Sequence, residues 1–172
     1  MRVVEGRAIV ADIDEFLDDL GSIGDEHGCI VVPFDARYIA GREHVERAVS
    51  LARRATARGE AIAADPGIEV LLYAAGRRQI DDALTMGIGT GERDLVIVIE
   101  SDWTRANGTT DELAAAESVT ERLEPAATLD VEYADRELVC EFFGITDEEL
   151  AATEASLEEL VVERVALLTV DR

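Results

Sequence analysis

Apolar positions recur along this chain with two different periods, and the alternation between the two predicts its elements. Short runs rich in valine and isoleucine at Arg2–Val10, Cys29–Phe34, Leu95–Glu100 and Val165–Val170 read as strands, bounded by Gly, Pro or charge. Apolar residues at three- and four-residue spacing predict helices over 12–20, 41–58, 66–75, 78–86, 111–124, 135–143 and 147–163. A short strand over Ile68–Tyr73 is the alternative to the third of these. Asp65-Pro66 pairs an N-cap with proline at the first helical position. Thr109 with Glu112 and Thr146 with Glu149 have the spacing of capping boxes, and Pro125 closes the 111–124 helix. The expected architecture is one α/β domain over residues 1–172, with a small mixed sheet of about four strands packed with helices. At 172 residues the chain can bury an ordinary core without disulfides or metals.

Charge changes this picture. The chain has 38 acids against 16 bases, a net charge of −22, and every base is arginine. A surface of mutually repelling carboxylates is tolerable where molar salt shortens the Debye length to about 3 Å. Lysine adds flexible apolar stem to such a surface, whereas arginine is kept for bidentate contacts. The composition reads as that of a protein from a salt-loving archaeal cytoplasm. Loss of lysine by GC-rich codon drift is the alternative, and stability in low-salt buffer separates the two. An apolar content of 48% excludes a disordered acidic tail. No apolar run approaches the roughly 18 residues of a membrane span, and Met1–Gly6 does not read as a signal peptide. A soluble, cytoplasmic protein with no membrane partner is expected. Cys29 and Cys140 lie in apolar runs and read as small buried hydrophobes, with a disulfide as the alternative.

The arginines are not spread evenly. Residues 37–78 hold eight arginines against five acids, a net +3, while the other 130 residues carry the remaining eight arginines and 33 acids. Within the 41–58 helix, Val45, Ala48, Val49, Ala52 and Ala55 form the core face. Arg47, Arg54 and Arg58 fall within roughly 40° of one another on the opposite side, flanked by His44 and Leu51. The stripe is either a solvated face or a binding face, and in a chain whose other wet faces are acidic it departs from the local rule. Further on, Gly76 ends an element, and a second helix is expected to begin with Arg77-Arg78-Gln79 and to bury Ile80, Ala83 and Leu84. Cations are unfavourable at that end of a helix dipole, so a phosphate bridging guanidiniums and free amides would explain them.

No catalytic constellation assembles from the sequence. His27 and His44 are the only histidines, too few for an unaided histidine zinc site, and His27 reads as a loop residue. Gly87–Gly91 has the glycine density of a phosphate loop, yet it follows a helix, precedes a strand and lacks the lysine. Asp12, Asp14, Glu15, Asp18 and Asp19 read as the wet face of an amphipathic helix rather than as metal ligands. Asn107-Gly108-Thr109 reads as a turn, and Trp103 as either a core anchor or a partner contact. A non-enzyme without metal or cofactor is expected.

Three stretches carry a resemblance. Asp35–Val45, Glu69–Leu84 with its Gly-Arg-Arg-Gln-Ile run, and the Gly87-Ile88 turn leading to Leu95–Ile99 resemble the small tRNA-binding subunit of the KEOPS complex, the TPRKB-type family. The resemblance runs to about Glu100 and resumes at Leu160–Val170. It implies a non-catalytic subunit that binds the N-lobe of the complex's small atypical kinase, promotes that partner's ATPase activity and, in archaea, holds the single-stranded CCA end of tRNA. The complex makes threonylcarbamoyl adenosine beside the anticodon. Carried over by position, Arg77, Arg78, Gln79 and Ile80 would line the RNA-end site, with the helix of His44 and Arg47 alongside and Arg54 and Arg58 continuing its stripe. A kinase-binding regulator without RNA binding is the alternative. Residues 110–163 hold 17 acids against Arg122 and Arg136, which suits them to a protein partner, with Leu150 or Leu157 as apolar contacts.

Overall fold

Burial alternates along Arg2–Val10 (β1), where Val4, Ala8 and Val10 point inward, and the same period-two pattern builds a sheet. The computed structural model describes residues 1–105, 108–129 and 134–169. The chain forms two compact units, residues 1–35 with 87–128 and residues 36–86 with 129–172.

The first unit holds the sheet. β1 pairs with Gly91–Ser101 (β3), with Val4 opposite Ile97 and Gly6 opposite Leu95. Cys29–Asp35 (β2) pairs with the other edge of β3, and Glu124–Pro125 (β4) pairs with Gly6 and Arg7 of β1. The order is β2-β3-β1-β4 and every pairing is antiparallel, so the sheet is not mixed. Two helices cover one face. Ile13–His27 (α1) contributes Leu20 and Ile23, and Glu112–Thr120 (α5) contributes Ala115 and Val119, against Leu95, Ile97 and Ile99 of β3. Asp12 caps α1 through the Glu15 N–H, and Asp14, Glu15, Asp18 and Asp19 lie on its exposed face.

α1 runs seven residues beyond its expected end at position 20, so His27 closes a helix instead of lying in a loop. The glycines at 21 and 24 hide this continuation. A Cβ at Gly24 would stand 2.5 Å from the Cys29 carbonyl oxygen, so glycine is there for close helix–strand approach and not to break the helix. Asp111, rather than Thr109, caps α5, because the Glu112 carboxylate is engaged by the Ser101 amide and hydroxyl. Pro125 does not end that helix but pairs opposite Gly6. Asn107 lies outside the described residues. Trp103 is half-buried, and both cysteines are free thiols, Cys29 buried and Cys140 half-buried.

The second unit is helical: Arg42–Ala57 (α2), Pro66–Ala75 (α3), Ile80–Ala83 (α4), Arg136–Phe143 (α6), Asp147–Ala152 (α7) and Leu157–Leu167 (α8). The Asp65 cap settles Ile68–Tyr73 as helix. The expected 147–163 helix is two helices, because Ser156 and Glu159 form a complete capping box that starts α8 afresh. At Thr146 only half a box forms, since both Glu149 oxygens take the Arg164 guanidinium at 2.7 Å. Val165–Val170 is not a strand. Leu160, Val161, Val165 and Leu168 are buried at helical spacing and carry α8 through Leu167, while Val170 lies outside the described residues. A short apolar run cannot by itself distinguish strand from buried helix. Among the described residues no helix is long and apolar enough to cross a membrane.

Candidate functional site

The first turn of α2 has an unusual cap. Gly41 precedes it and supplies no side-chain bond, and the carboxylate of Glu158, on α8, accepts from the N–H groups of Glu43 at 2.7 Å and His44 at 3.3 Å. A Cβ at position 41 would sit 2.2 Å from a Glu158 oxygen, so the glycine makes room for the carboxylate. An acid from a distant helix thereby satisfies amides that a local cap would otherwise take.

Capped in this way, α2 buries Val45, Ala48, Val49, Ala52 and Ala55, together with His44 and Leu51. His44 is therefore not on the arginine face. Its Nδ1 accepts from the Ala40 amide at 3.2 Å, its Nε2 donates to the Ala74 carbonyl at 2.8 Å, and its ring meets Phe143 edge-on at 5.5 Å. The amide donor requires an unprotonated Nδ1, which makes the ring neutral with its proton on Nε2. Desolvation pushes its pKa down to about 4, against the opposing effect of the Ala74 carbonyl.

Arg47, Arg54 and Arg58 share one side of α2, as their spacing predicts. With Arg78 they line a cleft of about 520 Å³, completed by Glu60, Ile62, Tyr73 and the end of α8 at Leu168 and Thr169. Arg54 reaches back to the Ser50 carbonyl and hydroxyl at 3.4 and 3.3 Å, which orients it along the helix. The Nε of Arg47 is buried and has no hydrogen-bond partner among the described residues.

The Arg77–Ile80 run divides. Gly76 adopts the left-handed conformation after α3, and the amides of Gly76 and Arg77 return to the carbonyls of Tyr73 and Leu72, so Arg77 belongs to a helix exit. Its guanidinium donates to the Phe142 carbonyl and lies 4.9 Å from the Phe142 ring centroid. Arg78 enters the cleft. Gln79 precedes α4 and makes no side-chain cap, and Ile80 is 45% exposed; neither lines the cleft. Ile80 and Leu84 were expected to be buried, but only Ala83 of that trio is. Because α4 is a single turn with Asp81 and Asp82 in it, the expected phosphate seat at its N-terminus does not form.

The structure thus gathers Arg47, Arg54, Arg58 and Arg78 in one recess and places His44 and Arg77 in internal contacts. Glu60 and Tyr73 follow no helical spacing that marks them, whereas Glu69, an acid inside an otherwise apolar helix, bears the mark of a buried carboxylate. Leu150 and Leu157 are half-buried, and among the described residues of 110–163 the exposed large apolar side chain is Leu113, with Leu167 exposed just beyond that stretch.

Four arginines and one glutamate lining the same cleft with an aromatic and aliphatic side chains make a recess that can bind an anionic group by forked hydrogen bonds. The fold and this recess define a small α/β protein built to bind. The family model of the kinase-binding protein CGI-121 matches residues 17–169, so the chain belongs to that family of kinase-binding proteins. The match includes the stretch between Trp103 and Ser156, where the sequence resemblance is weak. No curated protein matches the chain.

Proposed function

We propose that this protein is the non-catalytic subunit of a KEOPS-type complex from a salt-loving archaeon, binding the small kinase subunit and the single-stranded CCA end of tRNA to support threonylcarbamoyl adenosine formation. The observation that carries the RNA reading is the convergence of Arg47, Arg54, Arg58 and Arg78 on one cleft in a chain of net charge −22. Near molar salt, counterion release contributes little, and binding leans on direct hydrogen bonds and stacking, which arginine supplies better than lysine. The kinase reading is supported by family membership. That same description names a kinase and no RNA, which favours the second reading, a kinase-binding regulator that does not touch tRNA.

Reconstitution with the kinase subunit tests the proposal. Wild-type protein is expected to raise the kinase's ATPase rate, and a variant carrying Arg54→Ala with Arg58→Ala to keep that stimulation while losing tRNA retention on the complex. Loss of stimulation with retention of tRNA would contradict the assignment of the cleft to RNA.

A further inference from the structure

Glu69 is fully buried on α3, where a carboxylate is costly unless its oxygens are satisfied. Oε2 accepts from the amides of Ile62 at 3.0 Å and Ala63 at 2.7 Å, and Oε1 accepts from the Ile62 amide at 3.2 Å. Both donors lie in the irregular segment between α2 and α3. The other end of this segment is tied to α2, by the Gly59 amide on the Thr56 carbonyl at 3.0 Å and the Glu60 amide on the Ala55 carbonyl at 2.9 Å. Glu60 and Ile62 line the arginine cleft, and so does Tyr73, one turn beyond Glu69 on the same helix. One buried side chain therefore holds the strip of backbone that walls the cleft beside α2.

We infer that Glu69 is a positioning residue for the cleft: by fixing residues 60–63 it sets Glu60 in the wall it shares with the arginines, where its carboxylate accepts from the exocyclic amino groups of the terminal cytidine and adenosine bases, which uridine lacks. A recess built for phosphate alone gains nothing from a carboxylate, since phosphate has no neutral donor to offer and is repelled. An unpaired nucleotide brings both an anion and several donors. A carboxylate has about four lone-pair sites, so Glu60 accepts from a ligand in addition to its contacts within the protein. The inference rests on the RNA-end reading and adds that the cleft distinguishes amino-bearing terminal bases from uridine.

The test uses two single-stranded oligoribonucleotides of equal length, one ending in CCA and one of uridine only, titrated in molar KCl with amide exchange measured in parallel. Glu69→Gln is expected to speed exchange at Ile62 and Ala63, to weaken CCA binding by about ten-fold, the effect of one misplaced hydrogen-bonding group, and to leave uridine binding unchanged. Faster exchange with unchanged CCA affinity, or an equal loss on both oligonucleotides, would overturn the positioning role. If Glu69→Gln does not fold, Ala63→Pro removes the 2.7 Å donor and keeps the carboxylate, with an expected loss of about three-fold on CCA alone; no loss there overturns the role equally. The two readings fail differently. A wild type without CCA preference sinks both, whereas Glu69→Gln matching wild type while Arg54→Ala with Arg58→Ala loses CCA binding sinks this one only.

Discussion

Replacing Arg54 and Arg58 together by alanine lowers the affinity for a CCA-ended tRNA by about a hundred-fold in molar KCl, if each guanidinium makes one charge-assisted hydrogen bond worth about 1.5 kcal/mol. The two side chains are one helical turn apart on the same side of α2 and line the same cleft, so they are expected to act on one ligand and to couple. Neither is in the core, so the loss should come without a matching drop in stability. Arg122→Ala is the control: it removes a positive charge from an exposed arginine outside the cleft, bonded to the Ser118 carbonyl of its own chain. It should leave affinity unchanged. Equal losses in the control and in the double variant would show that net charge, and not the recess, governs binding.

The second large effect is on stability and comes from His44. Its folded-state pKa of about 4 lies below the ordinary 6.5, so between these values the unfolded chain binds a proton that the folded chain refuses. Its contribution is complete above pH 6.5 and is lost as the pH falls toward 4, a difference of about 3 kcal/mol. The carboxylates held below their usual range, such as Asp102 and Glu112, give up their contributions only below about pH 4.5. The interval from 6.5 to 4.5 therefore reports mainly on the histidine. His44→Gln keeps an acceptor and a donor but cannot be protonated there. Denaturant titrations in molar KCl should show the wild type losing stability across this interval relative to the glutamine variant, whereas parallel profiles would contradict the buried neutral imidazole.

How much of this was readable beforehand depends on where the deciding contact lies. The α2 stripe was readable because helical period alone places Arg47, Arg54 and Arg58 together. His44 lies near the edge of that stripe, and its burial is decided by Ala40, Ala74 and Phe143, which come from outside the helix. Arg77 and Arg78 are indistinguishable as neighbours in sequence; the turn at Gly76 sends the first onto Phe142, 65 positions further along the chain. The two-residue β4 has no periodicity to detect, and the apolar end of α8 has the composition of a strand, so the antiparallel sheet could not be read from strand propensity. Glu60 was invisible for a different reason: in a chain with 38 acids, one among them carries no signal until its lining position is known, whereas Glu69, the one acid in the apolar run Pro66–Ala75, was legible from its neighbours.

The arginine cleft either grips an unpaired RNA end or serves another ligand. The deciding measurement is the affinity of the wild-type protein for tRNA with and without its terminal CCA across KCl from 0.1 to about 2 M, a range over which a many-phosphate binder loses nearly all affinity. A preference for the CCA end that persists with a shallow salt slope is the predicted result. Equal affinity for the two RNAs, or binding that vanishes in molar salt, would contradict it.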